Sequence, residues 1–341
     1  MGERRGFTMM GGDVHAAAEL AARAEAAGFD SAWTAEFYDR SGAVSLAAMA
    51  LATSHIRIGS GILYAFGRSP VVLAAEARDL DLLSHGRLVL GLGTGTPGQA
   101  AAWLGVDPAH LAPRAEELIP LLRRLLRLDQ GPVRHQGRFF RVDLQPVAEA
   151  LPSVREHIPI YLAAVNRRMA RAAGKVADGL VGHPMFSPEY VRDVIRPALA
   201  EGSSGREVGD MPIAGYVLCS VAETAEEARS AAATQIAFYA VVRTFDAILE
   251  HHGFGDEAAT IREAWKRRDM KAATAAVSER MLDAFAVHGT AEEARQRYRD
   301  RFQGIYEEPL LFPPSVAYAG ARLAEAGRRT IDAMAALKVG A

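Results

Sequence analysis

The chain has one cysteine, Cys219, so it cannot close an intrachain disulfide or build a cysteine-ligated metal cluster. That thiol sits in the apolar run Tyr216-Val217-Leu218-Cys219 and reads as buried and inert. An excess of one charge is also missing. Lys and Arg total 39 against 41 Asp and Glu, a formal net charge of -2. This balance supports neither a nucleic-acid partner nor an anionic membrane surface. Long apolar runs are absent, at the amino terminus as elsewhere, so neither a signal peptide nor a membrane span is expected, and a cytoplasmic protein is. The 10 histidines are scattered with no His-x-His or His-Glu-x-x-His spacing. His251 and His252 are adjacent, which points them apart on a helix, so no metal site is expected. A Gly-x-Ser-x-Gly elbow is missing as well, which leaves serine hydrolysis without a motif.

What is present is a chain of 341 residues, 50% of them apolar and 23% charged. At about 150 residues per domain this allows two or three domains, or one large α/β barrel. Short apolar runs alternate with alanine-rich amphipathic stretches. Strands are predicted at Gly6–Met10, Ser31–Thr34, Ile56–Ile62, Arg87–Gly91, Ile158–Ala163, Leu180–Gly182, Met211–Ser220 and Gly304–Phe312. Eight strands separated by helices match a closed parallel (β/α)8 TIM barrel, read as a single domain over 1–341. Two segments break the rhythm. Residues 128–156, rich in Pro, Gly and aromatics, exceed an ordinary connection and predict a hairpin or lid. Residues 224–303 read as helical almost throughout, a helical insertion before the last strand. A closing helix is expected over Val316–Gly327.

The densest chemical signal is Arg87-Leu88-Val89-Leu90-Gly91-Leu92-Gly93-Thr94-Gly95-Thr96-Pro97-Gly98, a buried strand feeding a glycine-rich loop. Such a loop lets backbone approach a flat or phosphorylated ligand, and it equally makes a tight structural turn. It is neither a Walker loop nor a dinucleotide fingerprint. A second cluster, Gly59-Ser60-Gly61-Ile62-Leu63-Tyr64, ends the third strand, the active face of a barrel or simply a bulge at its rim. Beyond the second strand, Glu36, Tyr38 and Asp39 offer acid, base or hydroxyl recognition, against the plainer reading of solvated loop residues or an ion pair with Arg40 or Arg68. Ala164-Val165-Asn166-Arg167-Arg168 opens a helix whose free amides and arginines suit an anion. His183, just past the sixth strand, is the histidine best placed on the active face.

Together Ala26-Ala27-Gly28-Phe29-Asp30-Ser31-Ala32-Trp33-Thr34-Ala35-Glu36, Ile56-Arg57-Ile58-Gly59-Ser60-Gly61-Ile62, Ala74-Ala75-Glu76-Ala77-Arg78-Asp79-Leu80-Asp81-Leu82-Leu83-Ser84-His85-Gly86-Arg87 and Leu90-Gly91-Leu92-Gly93-Thr94-Gly95 resemble the luciferase-like monooxygenase superfamily. The similarity is strongest to its branch using the deazaflavin coenzyme F420, including methylenetetrahydromethanopterin reductases. Val176-Ala177-Asp178-Gly179-Leu180 and Gly289-Thr290-Ala291-Glu292-Glu293-Ala294 match recurring patterns too, so the resemblance spans nearly the whole chain.

The resemblance implies a barrel with an insertion near its seventh unit and a non-prolyl cis peptide at Gly61-Ile62 behind the cofactor ring. It places Thr94 and Gly95 on the ring or its side chain, and Ala164, Val165 and Asn166 along that chain or its phosphate. Two positions depart from the family. Phe37 stands where many relatives carry a titratable histidine, which leaves Glu36 or Tyr38 to relay a proton. Thr96 stands where the sugar-phosphate dehydrogenase branch has a glutamate, which disfavours that chemistry. Phe37, Tyr38, Tyr64 and Phe66 are expected in a substrate wall, with Thr96 and His183 also facing substrate. The expected activity is hydride transfer between C5 of F420 and a small organic molecule, reducing a C=C or C=N bond. An FMN-dependent monooxygenase and a noncatalytic flavin-binding protein are the alternatives, and the resemblance implies a homodimer.

Overall fold

The structure is a computed structural model describing residues 3–148, 153–206 and 211–337. Its main sheet has 10 strands, of which eight close on themselves. They are β1 (Gly6–Met9), β2 (Ser31–Thr34), β3 (Arg57–Ser60), β4 (Leu88–Gly93), β5 (Ile160–Ala163), β6 (Gly179–Val181), β7 (Ile213–Val221) and β8 (Glu308–Phe312). Every pairing around the ring is parallel, and β8 returns to β1 with Gly6 opposite Leu310. A helix layer covers the outside and side chains fill the inside, so the strands are buried on both faces and read as apolar runs without alternation. The barrel expected from the element count is the fold.

The floor of the barrel, at the amino ends of the strands, is plugged. Trp33 lies 6.2 Å from Tyr161, and its Nε1 donates to Glu308 at 3.0 Å. The Glu308 carboxylate is buried; it also accepts from Arg57 at 2.6 Å and from the Ser31 hydroxyl. Gly59 is glycine for a packing reason, because a Cβ there would enter the Trp33 ring.

Departures from the sequence reading lie in the additions to the barrel. The 224–303 region contains the helices Ala225–Ala240, Gly255–Lys266 and Ala291–Arg301, but a strand interrupts it at Ala286–Gly289. That strand pairs in parallel with the outer end of β7, Leu218 opposite Ala286. Four residues between helices, Ala286-Val287-His288-Gly289, carry too little periodicity to announce a strand. The closing helix is Ala321–Ala335, later than expected. The residues before it form a loop, held where Gln235 Oε1 accepts from the amides of Ser315 and Val316 at 2.8 and 2.9 Å.

Within 128–156, Val133–Gln136 and Arg141–Leu144 form an antiparallel hairpin; residues 149–152 of that segment lie outside the described residues. The hairpin is fastened along the helix Leu111–Leu125. Glu117 on that helix pairs with His135 at 2.9 Å and accepts from the amides of Phe139 and Phe140 at 3.0 and 2.9 Å. Arg114 lies between Phe66, Phe139 and Phe140, with its guanidinium 4.8 to 5.8 Å from the three ring centroids.

Candidate active site

The residues singled out by sequence converge on the carboxyl ends of the strands. Beyond β3 the chain turns through Gly61-Ile62, which is a non-prolyl cis peptide. Three contacts fix it. The Gly61 amide donates to Thr34 O at 2.8 Å, its carbonyl accepts from the Tyr216 hydroxyl, and the Ile62 carbonyl accepts from the Glu36 amide at 2.9 Å. The ends of β2 and β3 are thereby tied to the middle of β7 at one point.

Glu36 is committed to holding this point. Its carboxylate takes both Arg68 Nη atoms, at 2.9 and 2.5 Å, and the Tyr64 amide at 2.9 Å. Arg68 is bound in turn to Glu76 at 2.7 Å, and the Glu36 carboxylate holds the guanidinium more firmly protonated than usual. Of the two residues expected to relay a proton, Glu36 is occupied by ion pairing. Tyr38 is exposed, and its hydroxyl bonds no group among the described residues. Burial, with Glu36 beside it, pushes the Tyr64 phenol up to about 12, so it stays protonated.

Past β4, Thr94 is buried and Gly95 has φ +67°, which lets the loop turn back beside Tyr64. A Cβ on Gly95 would sit 3.2 Å from the Tyr64 ring and 3.1 Å from Gln99. Thr96 closes a capping box with Gln99 that starts the helix Pro97–Ala102, so its expected substrate role competes with a structural one. Past β5, Ala164 is buried, and the Val165 carbonyl accepts from Tyr190 at 3.1 Å. The Asn166 side chain caps the helix Arg167–Val176 through Met169 N at 3.0 Å. Among the described residues, the backbone amides of Gly95, Val165 and Asn166 donate to no other group. This backbone cradle, lined by small residues and opening onto a helix start, suits the polar edge and side chain of a flavin-type cofactor.

The remaining expected residues divide. His183 is largely buried, stacked on Phe245 at 4.1 Å and edge-on to Tyr239 at 4.9 Å. Burial pulls its pKa down to about 3, so the ring is neutral. Its Nδ1 accepts from Met185 N at 3.1 Å, which assigns the proton to Nε2. His183 therefore offers a hydrogen-bond donor and no acid. Phe66 does not join Phe37 and Tyr64; it is buried against Phe140 and Arg114 at the hairpin tip. Trp103, which sequence reading passed over, completes the aromatic group, with centroids 5.4 Å from Phe37, 5.6 Å from Tyr38 and 6.5 Å from Tyr64. It lies at the end of a short helix with no motif around it, and the loop geometry that brings it to Phe37 is not encoded in local spacing.

The site is the mouth of a parallel barrel, with a backbone cradle on one side and an aromatic rim on the other. The chain belongs to the luciferase-like monooxygenase family, whose model matches residues 1–307. It is 32% identical to an uncharacterized protein of Mycobacterium tuberculosis over 302 residues, covering 86% of this chain and 88% of that one. It is 30% identical to the 5,10-methylenetetrahydromethanopterin reductase of Methanopyrus kandleri over 292 residues, covering 80% of this chain and 81% of the relative. Among solved structures, the coenzyme F420-dependent tetrahydromethanopterin reductase from Methanopyrus kandleri superposes with a TM-score of 0.82 at 23% identity, covering 98% of each chain. The resemblance read from the motifs, to the family and to its reductase branch, is borne out, and the protein is of an enzyme superfamily of oxidoreductases.

Proposed function

We propose that the protein is an F420-dependent oxidoreductase that reduces a C=C or C=N bond of a small organic substrate. The observation carrying this reading is the 30% identity to the methylenetetrahydromethanopterin reductase across 80% of the chain. The unpartnered amides of Gly95, Val165 and Asn166 at the barrel mouth support it. When bound, the deazaflavin supplies a hydride at C5. The chain supplies the rest. The Gly61-Ile62 turn would back the ring, Thr94 and Gly95 would hold its polar edge, and Ala164, Val165 and Asn166 would hold its side chain through backbone groups. Phe37 and Tyr64 keep water from the reacting face, and His183 Nε2 donates a hydrogen bond there. Tyr38 Oη, or solvent beside it, gives the proton, since Glu36 is held by Arg68.

The family's monooxygenase description favours a second reading, an FMN-dependent oxygenase using the same cradle. Calorimetric titration of the apo protein with oxidised F420 and separately with FMN tests both. Selective micromolar F420 binding is expected; selective FMN binding overturns the cofactor assignment. A homodimer in the cytoplasm fits this reading. No single helix among the described residues is long and apolar enough to cross a membrane, and Val44, Leu51, Val72 and Leu82 leave apolar surface on two barrel helices. Sedimentation at micromolar concentration reads the oligomeric state.

A further inference from the structure

Phe37, Tyr38 and Trp103 are 36%, 73% and 45% exposed, a cluster of large rings left open to solvent beside the cradle. They come from loops after different strands, β2 and β4, and the indole stands nearly perpendicular to its neighbours, at 84° to Phe37, 78° to Tyr38 and 90° to the buried Tyr64. The indole thus forms one wall of a corner, and Phe37 and Tyr38, 4.5 Å apart and tilted 48° to each other, form a second, bent one. Both walls are anchored. The 37–40 turn is closed by backbone hydrogen bonds between Phe37 and Arg40 at 3.2 and 3.4 Å and by the Arg40–Asp39 pair at 2.9 Å. The Trp103 amide donates to Gln99 O at 2.8 Å, at the end of the helix that the Thr96 capping box begins. Trp103 Nε1 and Tyr38 Oη bond no group among the described residues, so the corner also has two unused polar handles.

We infer that this corner is the substrate platform and that it selects a flat, conjugated fused-ring molecule. Aromatic rings attract one another in offset-stacked and edge-to-face arrangements, and a right-angled pair of walls offers one of each to a single flat guest. A saturated ring of equal size keeps the area but loses both geometries. The corner is continuous with the cradle, because Gly95 abuts Tyr64 and Tyr64 meets Trp103 edge to face. A guest seated there lies next to the proposed cofactor face. Trp103 is then a specificity-determining residue, acting on substrate and not on cofactor. The inference rests on the F420 reading for what lies beneath the guest.

The test separates the two. Oxidised F420 is titrated into the wild type, Trp103→Ala and Trp103→Phe by calorimetry. Naphthalene-2-carboxamide and its decahydro analogue are then titrated into each F420-loaded protein, followed by saturation-transfer NMR. Equal F420 affinity in all three proteins is expected. The flat probe should bind Trp103→Ala about tenfold more weakly than wild type, with Trp103→Phe in between, and the saturated analogue should bind wild type about tenfold more weakly than the flat one. Equal affinity of the flat probe for wild type and Trp103→Ala, with F420 bound to both, overturns the platform and leaves the cofactor reading standing. So does equal binding of the flat and saturated probes to wild type. A shift of Trp103→Ala towards monomer in sedimentation, with probe affinity unchanged, assigns the corner to contact between copies and likewise overturns it. Absence of F420 binding by the wild type overturns the reading underneath.

Discussion

Glu36 and Arg68 form a two-pronged ion pair, with Nη1 2.9 Å from Oε2 and Nη2 2.5 Å from Oε1, and the same Oε2 holds the Tyr64 amide at 2.9 Å. Both side chains are mostly buried, at 9% and 16% exposure. Removing the carboxylate leaves the guanidinium with Glu76 alone and releases the loop after β3. Glu36→Ala is expected to cost about 3 kcal/mol in urea unfolding and to weaken cofactor binding, because the Gly61-Ile62 turn shares that loop. If Glu36 instead carried the reaction's proton, Glu36→Gln would remove a limb of the pH–rate profile while leaving cofactor affinity unchanged.

Gly61 and Tyr216 are matched in shape. A Cβ on Gly61 would run into the Tyr216 hydroxyl, and Tyr216 is buried in the barrel. Gly61→Val is expected to lose cofactor binding and to lower stability by about 1–3 kcal/mol, the usual result of overfilling a packed core. The smaller Gly61→Ala should regain stability when combined with Tyr216→Phe, since the obstructing atom is the hydroxyl oxygen. Additive effects in that double-mutant cycle would show that the two residues are not coupled.

Glu308 holds the barrel floor together by accepting from Ser31, Trp33 and Arg57. Glu308→Ala strands three donors in a buried place and is expected to cost about 3–5 kcal/mol, read as a fall in the urea midpoint. Cofactor affinity measured below the transition should change little, because the floor lies at the opposite end of the barrel from the cradle.

The buried His288 and the partly buried His183 make stability sensitive to acid. Burial pulls the pKa of His183 down to about 3 and that of His288 to about 4, both from 6.5. The unfolded chain takes up these protons near pH 6.5, whereas the folded chain resists until the lower values. Their contribution is therefore fully present above pH 6.5 and is lost as pH falls towards 4. His288→Leu should flatten the fall in urea midpoint across that window. An unchanged slope would place the acid sensitivity elsewhere.

The barrel was legible because most strands lie in short apolar runs bounded by glycine or polar residues, and the runs recur at helix-plus-loop intervals. Gly61, Ile62, Thr94, Gly95 and Asn166 were pointed to by the family resemblance, and periodicity supplied only the strand ends beside them. What each side chain does there was less legible. Glu36 looks like a free acid until Arg68, 32 residues on, closes on it. Phe66 looks like a wall residue until the hairpin covers it. Thr96 and Asn166 carry hydroxyl and amide groups that helix starts consume, and a capping residue looks the same in sequence as a ligand-binding one. Trp103 and the strand at Ala286–Gly289 are placed by tertiary contacts alone.

The plug of Trp33, Tyr161 and Glu308 makes the barrel a cup and not a tube. A cup has a single door. Under the proposed function, cofactor and substrate would enter through that one door, the cofactor first and the substrate over it. Side chains at the doorway would then bear on the pace of turnover as well as those beside the reacting carbon.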